Sequence, residues 1–307
     1  MSILVFGHKN PDTDTICSAI AYAELKGKLG KDVKAVRLGE VNEETKFVLD
    51  YFKVEKPELI ESVSGKEIML VDHNERTQTA DGFEEAKVLE LVDHHRISNF
   101  NVDEPLYVRM EPVGCTATII LKLFKENNLL PAPTTAGLML SAIVSDTLLF
   151  KSPTCTECDV KAGKELAEIA GVNVEEYGLE MLKAGTALGG KSEAELINMD
   201  MKIFEVDGSK IGVAQVNTVN EAELLERKEK LLAEINNIIN KEGLKFFIFA
   251  ITNILSNDSI GIVAGDGNAV IEKAFNEKID NNLIALKGVV SRKKQIIPPL
   301  TKAIQEA

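Results

Sequence analysis

Three short apolar runs early in the chain end in acids and histidines. Ile3 to Phe6 leads into Gly7-His8-Lys9-Asn10-Pro11-Asp12-Thr13-Asp14, Ile68 to Val71 into Asp72-His73-Asn74-Glu75, and Val88 to Val92 into Asp93-His94-His95. Apolar runs of this length, bounded by polar loops, read as buried strands. Between them lie segments of helical spacing: Thr15 to Leu29, where Ile16, Ile20, Ala23 and Leu25 share a face and Gly30 ends the helix, and Glu43 to Phe52. Lys34 to Leu38 is a weaker strand. This alternation predicts a mostly parallel sheet covered by helices. Parallel strands finish at one edge of their sheet, which is where ligands bind in open α/β folds. All four histidines of the chain, His8, His73, His94 and His95, fall at such strand ends.

From residue 114 to 185 the pattern is mainly helical. Thr116 to Asn127 carries Ile119, Ile120, Leu123 and Phe124 at helical spacing, and Thr135 to Phe150 is apolar around one acid, Asp146. Thr156 to Ala170 starts at a capping threonine and ends at Gly171. The paired glycines of Leu188-Gly189-Gly190-Lys191-Ser192 read as a linker. They divide an N-terminal domain, 1–187, from a C-terminal domain, 194–307, with 188–193 as the linker. In the second domain, Lys202 to Val206 and Lys210 to Val216 flank a hairpin signal at Asp207-Gly208. A long helix is expected from about Asn220 to Lys241, with a leucine and isoleucine stripe that packs as core. Leu244 to Ile251, Ser259 to Val263 and Leu283 to Leu286 read as strands. The class is α/β, with a smaller second α/β domain built on a mixed sheet.

At roughly 150 residues per domain, 307 residues suit two domains. The longest apolar run, Phe246 to Ile251, is far short of the roughly 18 residues that span a bilayer. The N-terminus lacks the basic start, long apolar stretch and small-residue cleavage site of a signal peptide, so a cytoplasmic location is expected. With 35 cations against 48 acids, the net charge of −13 disfavours binding to nucleic acid. Of the four cysteines, only Cys155 and Cys158 have CxxC spacing, and nothing nearby completes a zinc site. They read as structural or incidental thiols.

A single His or Asp after a strand is ordinarily a cap or turn residue, and Asp14 could cap the helix at Thr15. Caps do not explain why the histidines sit beside acids at successive strand ends. His8, Asp12 and Asp14 form an HxxxDxD pattern whose two acids can face different metal ions. Asp72 and His94 can complete two neighbouring sites with one carboxylate bridging. Asp146 needs a partner inside its apolar helix, and a metal ion would be one. Mixed nitrogen and oxygen donors suit Mn²⁺, Co²⁺, Fe²⁺ or Zn²⁺ better than Mg²⁺ alone. Asp93 is expected to orient an imidazole, and His73 to be no ligand. Far downstream, Ser291-Arg292-Lys293-Lys294 is either a phosphate-binding cluster or a solvated basic turn. Lys202 is unremarkable by itself.

The segments His8 to Asp14, Asp72 to Glu75, Asp93 to His95 and Ser291 to Lys294 together resemble the manganese-dependent, family II inorganic pyrophosphatases of the DHH phosphoesterase superfamily. Glu111 to Thr118 and Lys151 to Thr154 are also similar to family segments. The DHH triplet marks the superfamily, and the SRKK segment narrows it. The resemblance implies a DHH fold hydrolysing pyrophosphate to two orthophosphates in a cleft between the domains. One manganese ion would be held by His8, Asp12 and Asp72, and a second by Asp14, Asp72, His94 and Asp146. Cobalt would be a substitute, and Mg²⁺ would arrive with substrate. A hydroxide shared by the two ions would attack phosphorus. His95, Lys202, Arg292 and Lys293 would bind the phosphates, with His95 a candidate proton donor or hydrogen-bond donor to the oxygen that leaves. A homodimer through the N-terminal domain is also implied. Other DHH phosphoesterases carry a glycine-rich motif with a histidine in the second domain, whereas this chain has no histidine after His95.

Overall fold

A computed structural model describes residues 2–186, 188 and 190–306. The chain divides after Gly185 into two compact units. The first opens with β1 (Ile3–Phe6), α1 (Thr13–Lys28), β2 (Val33–Arg37), α2 (Glu43–Phe52), β3 (Glu58–Leu59), β4 (Glu67–Val71), β5 (Lys87–Asp93) and β6 (Tyr107–Met110). Four helices follow: α3 (Thr116–Glu126), α4 (Pro133–Asp146), α5 (Glu157–Ala170) and α6 (Val174–Gly185). The six strands form one sheet in the order β3-β2-β1-β4-β5-β6, every neighbouring pair parallel. The expected parallel α/β architecture is the one observed. Strand order reverses direction between β1 and β4, and the crevice beyond such a reversal is where open α/β sheets hold ligands. His8 follows β1 and Asp72 follows β4, so both stand at that point.

Three details of this unit depart from the sequence reading. Helix α1 starts two residues early because Asp12, not Asp14, is its cap: the Thr15 backbone N–H donates to Asp12 Oδ1 at 2.9 Å. Asp14 lies within the first turn, completely buried. Helix α4 begins at Pro133 and stops at Asp146 rather than running to Phe150. Leu148, Leu149 and Phe150 take left-handed backbone angles, φ 47°, 54° and 64°. Such angles are costly for residues with side chains, and packing stabilises them here. A Cβ on Gly163 of α5 would lie 2.6 Å from the Phe150 ring, and one on Gly178 of α6 would lie 2.5 Å from Leu149, so both glycines make room for this turn. Strands β3 and β6 were not expected. The first has only two residues, both exposed, and β6 is an edge strand with Tyr107 and Val108 exposed, so neither has an apolar run to announce it.

The second unit contains α7 (Glu193–Asn198), β7 (Met201–Val206), β8 (Ser209–Thr218), α8 (Glu221–Leu225), α9 (Lys228–Glu242), β9 (Phe246–Asn253), β10 (Asp258–Gly265), α10 (Asn268–Phe275), β11 (Leu283–Leu286) and α11 (Ile297–Gln305). Its sheet, ordered β11-β10-β9-β8-β7, is mixed: β8 and β9 are parallel and the other pairs antiparallel. The six-residue apolar run of β9 alternates between two cores. Phe247, Phe249 and Ile251 pack with Leu231, Leu232 and Ile235 of α9, while Phe246, Ile248 and Ala250 pack with Ile271 of α10 and Leu300 of α11. The long helix expected at 220–241 is two helices. Arg227, between them, leaves helical geometry (φ −94°, ψ 6°) and its guanidinium donates to Glu193 Oε1 at 2.9 Å and to the Lys191 carbonyl at 2.7 Å. The apolar stripe packs as core all the same. Of the expected linker, Gly189 lies outside the described residues, and Ser192 caps α7.

Candidate functional site

His8, Asp12, Asp14, Asp72, His94, His95 and Asp146 come together at the carboxyl edge of the parallel sheet. His8 Nε2 lies 3.4 Å from Asp12 Oδ2 and 3.6 Å from Asp72 Oδ2. His94 Nε2 lies 3.5 Å from Asp72 Oδ1, 3.7 Å from Asp146 Oδ2 and 4.0 Å from Asp14 Oδ2. One oxygen of Asp72 therefore faces His8 and the other faces His94.

Local structure holds these atoms in place. Asp72 takes a left-handed backbone angle, φ 59°, which turns the chain sharply off β4. Its Oδ2 accepts from the Thr15 hydroxyl at 2.7 Å and its Oδ1 from the Thr116 hydroxyl at 3.1 Å. Asp14 accepts from the Thr116 backbone N–H at 2.8 Å and from the Ser18 hydroxyl at 2.5 Å. His94 Nδ1–H donates to the Val113 carbonyl at 3.1 Å, which turns Nε2 towards the carboxylates. His95, its side chain half exposed, donates from Nδ1 to Asp93 Oδ1 at 2.9 Å. His73 is buried, donates from Nδ1 to the Val71 carbonyl at 2.9 Å and leans on Phe6, outside the cluster.

Some partners have no signal in the sequence. Thr15 and Thr116 are 57 and 44 residues from the Asp72 they hold. Cys115 is fully buried, with its sulfur within 4.8 Å of oxygens of Asp14 and Asp146; burial, then the charge of Asp14, pushes its thiol well above the usual range. Asp159 of α5 is buried and accepts from the Gly114 N–H, the Thr118 hydroxyl, and the N–H and hydroxyl of Thr156, at 2.6–2.8 Å. It fastens the turn that presents Thr116. Asp159→Ala is expected to cost about 3 kcal/mol in urea unfolding, because buried donors lose a charged acceptor.

The electrostatics ask for positive charge. Burial and then the charge of Asp14 push Asp72 up to about 7. Burial, followed by the charges of Asp14 and Asp72, pushes Asp146 well above the carboxylate range. Burial would lower the His94 imidazole, but its hydrogen bond to Asp72 and the charges of Asp14 and Asp72 lift it to about 9. Among the described residues, the ion-pair partners of Asp12, Asp14, Asp72 and Asp146 are histidines alone. Four crowded carboxylates with two imidazole nitrogens fit divalent cations that accept both donor types.

In the second unit, Arg292 opens a π-helical turn, Arg292–Ile296, which the sequence reading did not anticipate. Its backbone N–H donates to Gln215 Oε1 at 2.9 Å, and its guanidinium pairs with Asp200 Oδ1 at 2.7 Å. Gln295 Oε1 accepts from the N–H groups of Val290 and Ser291. Lys293 beside it is exposed, as is Lys202 on β7.

Known proteins place the chain. A model of the DHH family, N-terminal domain, matches residues 2–143, and a DHHA2 domain model matches 179–303. A "Probable manganese-dependent inorganic pyrophosphatase" of Exiguobacterium sp. is 60% identical over 304 residues, 98% of each chain. The chain belongs to the family II, manganese-dependent inorganic pyrophosphatases. A second relative with that same description, from Bacillus cereus, is 56% identical over 99% of each chain. The solved structure of "Methanococcus jannaschii putative family II inorganic pyrophosphatase" is 43% identical, with a TM-score of 0.63 over 99% of this chain and 100% of that one.

Proposed function

We propose that this chain hydrolyses inorganic pyrophosphate to two orthophosphates, using two manganese ions held by His8, Asp12, Asp14, Asp72, His94 and Asp146. The observation that carries this reading is Asp72, whose two oxygens face two histidines on opposite sides. His8 and Asp12 would complete one site, and Asp14, His94 and Asp146 the other. The relatives named for pyrophosphate and manganese support the substrate and the metal.

Two divalent cations there would supply Lewis acidity and a water acidic enough to serve as nucleophile near neutrality. The chain does the rest. Thr15 and Thr116 hold Asp72 so that each oxygen keeps its side. Asp93 fixes the ring of His95 through Nδ1 and favours its protonated form. His95 Nε2–H is then free to bond the phosphate oxygen that leaves as the P–O–P bridge breaks, and to pass its proton to it. Arg292, Lys293 and Lys202 bind the phosphate oxygens; the planar fork of Arg292 suits two of them at once. Mg²⁺ enters with pyrophosphate, and cobalt can replace manganese. In this reading residues 188–193 act as a hinge, the second unit's cations meet the substrate on closure, and two chains pair through the first unit in the cytoplasm.

The test is phosphate release by metal-stripped protein reloaded with Mn²⁺ and assayed with Mg²⁺, beside an oligoribonucleotide and a cyclic dinucleotide. Release from pyrophosphate alone is the expected result; cleavage of a nucleotide instead would overturn the substrate. Chelation has an expected effect on stability too. Mn²⁺ at 100 times its Kd should stabilise the stripped protein by about 2.7 kcal/mol, read as a dose-dependent rise in melting temperature.

A further inference from the structure

Asn74 is 3% exposed and follows Asp72 by two positions. Its side-chain amide is spent on the neighbouring loop. Nδ2 donates to Asp93 Oδ2 at 2.6 Å and to the Arg96 carbonyl at 3.0 Å, and Oδ1 accepts from the Ser98 N–H at 2.6 Å. Those three points bracket His95. Asp93 in turn accepts from the His95 N–H at 3.0 Å and from its Nδ1 at 2.9 Å. A second brace runs beside the first: the Arg76 N–H donates to Asn99 Oδ1 at 3.1 Å, and its guanidinium to the Asn101 carbonyl at 2.9 Å. The loop after β5 thus hangs on the loop after β4. Asn74, His95, Arg96 and Ser98 line a cavity of about 330 Å³ whose wall also includes His8 and Asp72.

We propose that Asn74 is a positioning residue, which sets the place of the His95 imidazole by tying Asp93 and the backbone at 96 and 98 to the end of β4. An amide is the group this position needs. It donates to a carboxylate and a carbonyl while accepting from an N–H, and aspartate would set a second negative charge against Asp93. The inference rests on the proposed contact between His95 and the substrate.

Five variants test it: Asn74→Ala, Asn74→Ser, His95→Gln and the double variants Asn74→Ala/His95→Gln and Asn74→Ser/His95→Gln. Manganese content, melting temperature, kcat and KM for pyrophosphate are measured on each. Asn74→Ala is expected to lower kcat by roughly 10- to 100-fold, the scale of a misplaced catalytic group, with manganese content kept and KM within about threefold. In the His95→Gln background the same change should lower kcat by less than about twofold, because its effect passes through the ring already removed. An equal fold-loss in both backgrounds would make Asn74 a general structural residue and overturn the proposal, as would an unchanged kcat in Asn74→Ala. Should Asn74→Ala fail to fold, Asn74→Ser carries the same comparison with its own double variant. If His95→Gln leaves kcat at the parent value while Asn74→Ala lowers it, the reading of His95 fails, and the route through His95 with it.

Discussion

Asp72→Asn is expected to remove at least about 10³-fold of turnover and most of the bound manganese. Among the described residues, no other side chain offers one oxygen to the His8 side and one to the His94 side, so one change should weaken both of the proposed cation sites. The choice of asparagine isolates the charge. Asparagine tolerates the left-handed backbone angle at this position, and the hydroxyls of Thr15 and Thr116 can rotate to meet an amide. Stability should then move in opposite directions with and without metal. In chelator, the variant should melt at or above the parent, because a buried negative charge beside Asp14 has gone. In saturating Mn²⁺, the parent should gain stability that the variant does not. Thermal melts in the two conditions, with metal content by elemental analysis, check both halves. Full manganese occupancy in Asp72→Asn would show that the carboxylate does not join the two sites.

What was legible in the sequence follows from short range. His8, Asp72 and His94 could be found because a strand imposes a run of apolar residues and its end is marked by the first polar ones. Asp146 stood out because α4 is otherwise apolar and buried on most sides. The supports of the site were hidden because they are long-range contacts between ordinary residues. Thr15 and Thr116 read as helix-terminus threonines, and nothing local says that they share a carboxylate. Asn74 drew no reading of its own, although its amide reaches the next strand's loop. The ends of helices were misjudged where tertiary packing overrode local preference. Leu148 to Phe150 continue the helical apolar pattern of α4, yet the pockets left by Gly163 and Gly178 draw their side chains into a left-handed turn. Arg227 sits inside an unbroken leucine stripe, yet its bonds to Glu193 and Lys191 interrupt the helix.

The basic cluster shows the same limit, and it gives the second large expected effect. Adjacent cations in a chain of net charge −13 were conspicuous, but spacing alone did not distinguish a solvated turn from a binding device. The structure shows a held geometry: a π-helical turn, of a kind frequent at functional sites, with the Arg292 N–H on Gln215 and the guanidinium on Asp200. Arg292→Ala is expected to lower kcat/KM for pyrophosphate by about 10²–10³-fold while manganese content and the Mn²⁺-dependent melting shift stay at parent values. Arg292→Lys should recover only a minor part, because a point charge replaces a two-pronged donor. Steady-state kinetics with elemental analysis decide the matter. The reason metal content should not move is that every side chain proposed to hold manganese comes from the first unit, folded on its own sheet and core. Loss of manganese in Arg292→Ala would break that division of labour, whereas loss of activity at full occupancy would assign Arg292 to the phosphate.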